Sequence, residues 1–101
     1  MLPLNIFTLG ALSIQRGDQP VRGFVSRKVE ALLVYLAFER REHPRELLAT
    51  MLWEDLSQTR AMANLRMGLS NLQSLLPHYL LITRQTVMIN PESPCWLDAF
   101  E

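Results

Sequence analysis

At about 100° per residue, Arg60, Ala63, Arg66, Met67, Ser70, Asn71 and Ser74 occupy most of one side of a single helix. Ala61, Met62, Leu65, Leu69, Leu72 and Leu76 fall on the other side. A helix whose outward side offers a guanidinium, short hydroxyls and an amide has the donors and acceptors needed at base-pair edges. Arginine can make two hydrogen bonds to guanine, asparagine two to adenine, and methionine can touch a thymine methyl. Arg66, Met67, Ser70 and Asn71 are therefore candidate base-reading residues. Arg60, near the helix start where the macrodipole favours an anion, and Ser74 suit phosphate oxygens. The same pattern also fits a plain solvated helix surface. Asn64 suits either DNA or a structural bond to backbone.

Other chemistry lacks its parts. The chain has no nucleophile elbow, no glycine loop to cradle a phosphate, no metal-ligand cluster and no defensible pair of carboxylates. No catalytic residue, metal or cofactor is expected. Cys95 stands alone and reads as an incidental free thiol. His43 and His78 sit in loop-like surroundings without a partner motif. Trp53, Leu36 and Phe38 read as core.

The elements that position the candidate residues follow from patterning. Leu4–Gly10 and Ala11–Gln15 alternate apolar and polar residues as short strands do, Arg16–Pro20 is a turn, and Val21–Val25 could add a third strand. Ser26 is a plausible N-cap for a first helix from about Arg27 to Glu39, carried by Val29, Leu32, Leu33, Leu36 and Ala37. Pro44 opens a second helix through Leu47, Leu48, Met51 and Leu52, which Trp53 closes. Ser57 can cap a third helix, Gln58–Leu75, which Pro77 ends. Leu80–Thr83 and Thr86–Asn90 then form a hairpin turning at Arg84–Gln85, and the tail from Pro91 to Trp96 reads as irregular. The fold class expected is α+β: a winged helix-turn-helix with a short N-terminal antiparallel sheet, three helices and a C-terminal hairpin wing. The domain would span 1–91, with 92–101 beginning a linker. Trp96 is a candidate anchor for the tail.

Charge is uneven. The 101 residues carry zero net charge, yet Ser57–Pro91 contains Arg60, Arg66 and Arg84 and no acid. Such asymmetry can place a cationic face on a neutral protein. Arg84, with Gln85 at the hairpin tip, is the natural minor-groove or phosphate contact of a wing. Arg27 and Lys28 could reach phosphates or merely solvate the start of the first helix. No apolar run approaches the roughly 20 residues of a membrane span, and no secretory signal pattern opens the chain, so a cytoplasmic protein is expected.

These residues resemble a known family, the winged-helix domains of the Streptomyces antibiotic regulatory protein (SARP) type, which are similar to response-regulator winged helices of the OmpR/PhoB type. The resemblance lies in Leu9-Gly10 with Gly17 and Pro20-Val21, and in Arg27-Lys28 before Ala31-Leu32-Leu33-Val34-Tyr35-Leu36-Ala37. It continues in Leu48-Ala49 before Leu52-Trp53 and Asp55, and in Ala63-Asn64-Leu65-Arg66 followed by Leu69-Ser70 and Leu72. At Met62 and Gln73 the sequence departs from the family pattern, where arginine is frequent. The resemblance implies a bacterial transcriptional regulator that binds double-stranded DNA, with Met1 the natural start. It implies that Leu97–Glu101 leads into a helical bacterial transcriptional activation domain, whose C-terminal parts of the same chain would be further partners. A dimer on two half-sites is expected from the DNA reading. The resemblance also implies RNA polymerase as a partner at the acidic link Glu54–Asp55. The alternative is a winged-helix protein-interaction module without DNA binding, which zero net charge would suit.

Overall fold

The computed structural model describes residues 1–98. Ten elements follow one another: β1 (Leu4–Phe7), β2 (Ser13–Arg16), β3 (Gln19–Pro20), α1 (Arg27–Phe38), β4 (His43–Pro44), α2 (Arg45–Leu52), α3 (Gln58–Leu75), β5 (Leu80–Ile82), β6 (Thr86–Ile89) and β7 (Cys95–Leu97). The architecture is α+β, with three helices and two small sheets.

The first sheet has the order β3-β2-β1-β7. Leu4 and Ile6 of β1 point into the core, and Ile6 lies opposite the buried Ile14 of β2. The third strand expected over Val21–Val25 is instead the pair Gln19–Pro20. Proline lacks an N–H, so it is tolerated here at the sheet edge. Gly23, at φ +99°, turns the following chain out of strand geometry. The tail expected to be irregular contributes β7, parallel to β1 with Leu4 opposite Cys95 and Ile6 opposite Leu97. The sheet is therefore mixed rather than purely antiparallel. Trp96 lies against Phe7, ring centroids 5.2 Å apart.

Helix starts follow their caps. The Ser26 hydroxyl accepts from Val29 N, and the Ser57 hydroxyl from Arg60 N. Pro44 occupies the N-cap position of α2, and the helix has no side-chain cap there. The apolar pattern of α2 is misleading: Leu48 and Ala49 are buried, whereas Leu47 is 66% exposed and Met51 45%. Leu47 and Met51, four residues apart, share one side of α2, and the buried Leu48 and Ala49 lie on another. Phe38, expected in the core, is 48% exposed at the end of α1.

The second sheet has the order β4-β6-β5, with His43 paired to Val87 and Leu80 to Ile89. His43 is consequently not a loop residue but buried. Its Nε2 lies 2.7 Å from Glu39 O; a carbonyl only accepts, so Nε2 carries the proton and donates. Tyr35 covers the imidazole, with ring centroids 5.0 Å apart. His78 remains exposed in a turn at φ +75°.

One core joins these layers. Leu32, Leu33 and Leu36 of α1, Leu48 of α2, Leu65 and Leu72 of α3, and Val87 and Ile89 of β6 are all fully buried within it. α3 approaches α1 closely at Gly68, where a Cβ would stand 2.9 Å from Val29 Cγ2. No helix among the described residues is long and apolar enough to cross a membrane.

Candidate nucleic-acid interface

α3 is oriented by its own apolar stripe. Burial of Ala61, Leu65, Leu69 and Leu72 turns Thr59, Arg60, Ala63, Arg66, Met67, Ser70, Gln73 and Ser74 outward, all exposed. That surface carries two guanidinium groups and no acid. Met67, 60% exposed, stands at one margin beside a shallow groove shared with Val25, Ser26, Trp53 and Asn64. Met62 is half-buried at the opposite margin.

Asn71 departs from its expected role. Its Oδ1 accepts from Val25 N at 2.9 Å and its Nδ2 donates to Gly23 O at 3.0 Å. Both ends of the amide are thus committed to the backbone before α1, and a bidentate contact with adenine would break both bonds. Asn71 is a bracket rather than a base reader. No local signal marked this role, because the backbone groups that Asn71 satisfies lie 46 and 48 residues away in sequence.

The β5–β6 hairpin ends in a tight turn organised by Thr83, whose hydroxyl accepts from Thr86 N at 2.9 Å and Gln85 N at 3.2 Å. Arg84 and Gln85 are exposed at its tip. The tip is tied to the start of α2: Arg45 N donates to Gln85 O at 2.8 Å, and Arg45 Nη1 donates to Thr83 O at 3.0 Å. Arg45 therefore fixes where Arg84 sits, a role sequence patterning did not reveal. A groove lined by Met62, Arg45, Glu46, Arg84 and Gln85 runs between the tip and α3.

Arg27 and Lys28 are exposed on the first turn of α1, and Lys28 Nζ lies 6.0 Å from the Trp53 ring centroid, at the outer limit of a cation–π contact. Arg60 is exposed at the start of α3. Glu54 and Asp55 are exposed in the link between α2 and α3, which Leu56 N closes by donating to Trp53 O at 3.1 Å. The structure thus brings Arg66, Met67, Ser70, Ser74 and Arg60 onto one helix surface, with Arg84 and Gln85 along one side of it.

Cys95 is half-buried in β7, and burial pushes its thiol above the ordinary value, with Arg40 opposing in part. No three His, Cys, Asp or Glu side chains among the described residues are grouped to hold a metal ion. No protein family, curated protein or solved structure matches this chain.

Proposed function

We propose that the chain is a winged helix-turn-helix domain that binds double-stranded DNA within a bacterial transcriptional regulator. α3 enters the major groove and the β5–β6 hairpin is the wing. The observation that carries this reading is the acid-free outward surface of α3, with Arg66 near its middle, beside a hairpin whose arginine tip is anchored to α2. An α-helix is about as wide as the major groove, so such a surface can be brought to base edges. The strand between α1 and α2 pairs with the hairpin, which gives the wing a rigid base.

Arg66 reads a guanine edge, Met67 a thymine methyl, and Ser70 a base or phosphate. Arg60, Ser74 and Arg84 contact phosphates. The exposed acids Glu54 and Asp55 are a docking point for a basic surface of RNA polymerase, and two copies on half-sites one helical turn apart would supply specific affinity.

The test is an amide NMR titration with a random-sequence duplex at low salt, where non-specific dissociation constants of about 10⁻⁴ to 10⁻⁶ M are expected. Shifts along 58–74 and at the hairpin tip, reversed by salt, support the reading. Silence there overturns it in favour of a protein-docking module, for which zero net charge is the supporting observation.

A further inference from the structure

We infer that the segment from Arg22 to Lys28, held by Asn71, is a second DNA-facing element. It forms a phosphate rail along one edge of α3, in which Arg22 and Lys28 take phosphate oxygens and Asn71 is the positioning residue. This inference rests on the DNA-binding reading above.

The bracket fixes the segment against the helix. Asn71 accepts from Val25 N and donates to Gly23 O, at 2.9 and 3.0 Å. Gly23 lies so close to α3 that a Cβ there would stand 3.1 Å from Leu75 Cδ2, and its φ of +99° disfavours any side chain. Ser26 then caps α1, so the first turn bearing Arg27 and Lys28 is set relative to α3. Arg22 precedes Gly23 and shares a groove with Arg16 and Ser74, at the far end of the same edge. Arg16, Arg22, Arg27 and Lys28 are all exposed.

The opposite edge carries its own cation. Met62 and Asn71 are nine residues apart, which places them on opposite sides of α3 at about 100° per residue. Met62 faces the groove of Arg84. The exposed surface between the two edges has Arg60 and Arg66 and no acid. Glu46 lines the Arg84 groove and Glu30 shares a groove with Arg27, but neither belongs to α3. The major groove is walled by two phosphate backbones about 12 Å apart, so a helix lying in it meets phosphates along both edges. Cations on both edges, flanking a surface that carries Arg60 and Arg66 and no acid, suit that charge distribution.

The salt dependence of duplex binding by the intact chain tests this, measured by fluorescence anisotropy. Arg22→Ala should weaken binding to all sequences alike, about 3–10-fold at moderate salt, and flatten the log–log salt slope by about 0.9. Arg22→Lys should restore most of that slope. Asn71→Ala should flatten the slope further, by up to about twice as much, while leaving the base preference in a randomised duplex pool unchanged. Unaltered slopes in both Arg22→Ala and Asn71→Ala overturn the rail, as does a lost preference at one base pair in Asn71→Ala. If the wild-type chain shows no salt-sensitive duplex binding, the DNA reading itself fails and the rail with it. Arg22 is exposed, and among the described residues its side chain makes no hydrogen bond or ion pair, so its variants keep the test valid even if Asn71→Ala unfolds.

Discussion

Asp98 clamps Thr8. Both carboxylate oxygens lie 2.8 Å from Thr8 N, the Thr8 hydroxyl donates to Oδ1 at 2.6 Å, and Leu9 N donates to Oδ2 at 2.9 Å. These bonds join residues 90 positions apart and fasten the end of β7 to the end of β1. Hydrogen bonds to a charged group contribute about 1.5–3 kcal/mol, and donors left without a partner add a desolvation cost. Asp98→Ala should therefore lower stability by about 2–3 kcal/mol. Asp98→Asn, which keeps one acceptor oxygen, should lose less. Urea unfolding should show a lower midpoint with an unchanged slope. A loss below about 0.5 kcal/mol would mean the clamp adds little to the parallel pairing.

The approach of α3 to α1 makes a second prediction. Alanine at Gly68 would gain helix propensity of up to about 1 kcal/mol, yet its Cβ would press on the buried Val29 at 2.9 Å. Val29 Cγ2 belongs to a short branched side chain packed in the core and has little room to yield. Overpacking costs about 1–3 kcal/mol, so Gly68→Ala should be net destabilising. In the Val29→Ala background the same substitution should become neutral or stabilising. A double-mutant cycle measures this directly, and additive effects would show that no clash exists.

Where the sequence predicted well, the signal was local. Ser26 and Ser57 marked the starts of α1 and α3 because a hydroxyl there has a definite backbone N–H to accept from. The apolar stripe of α3 determined which side faces out, and Arg66, Ser70 and Ser74 lie where that periodicity put them. Where the sequence was silent, the partner was distant. Cys95–Leu97 is too short to announce a strand, and it becomes one by pairing with β1 across the whole chain. His43–Pro44 is likewise a strand only because Val87 and Thr86 lie opposite. Asn71 and Arg45 carry the same lesson for the site. Their residue types suit DNA contact, but neighbouring carbonyls and N–H groups had first claim on them. Phe38, Leu47 and Met51 are apolar yet remain exposed: Phe38 ends α1, and Leu47 and Met51 share a side of α2 other than that of the buried Leu48 and Ala49.

Alkaline pH should weaken the fold. Burial pushes the Tyr79 phenol and the Cys95 thiol above their ordinary values, opposed in part by Arg16 and Arg40 respectively. The Tyr79 hydroxyl also donates to Leu2 O, a bond only the protonated form can make. Both groups therefore hold their protons in the folded chain at pH values where the unfolded chain releases them. The unfolded state then binds fewer protons, so stability falls as pH rises. It should be complete below about pH 8 and decline as the unfolded thiol and then the unfolded phenol ionise, near 8.5 and 10. Melting temperatures measured from pH 7 upward should show the decline. Cys95→Ala should remove its first part, and a curve that Cys95→Ala leaves unaltered would assign the effect to other groups.

Arg66 and Arg84 divide the labour if α3 reads bases and the hairpin grips the backbone. Arg66 projects from the outward surface of α3, where two parallel bonds to guanine are possible. A bidentate pair of that kind discriminates by about 1–3 kcal/mol, so Arg66→Ala should reduce the preference for the selected duplex about 5–150-fold. Binding to unrelated sequences should change much less. Arg84 lies at a tip whose position is fixed by Arg45 and Thr83, away from the centre of α3. Arg84→Ala should weaken selected and unrelated duplexes by the same factor and reduce the salt slope by about 0.9. Competition anisotropy with both duplexes separates the two effects. Equal loss of preference in the two variants would mean that the hairpin also reads sequence, through groove shape or base contact, and that the division does not hold.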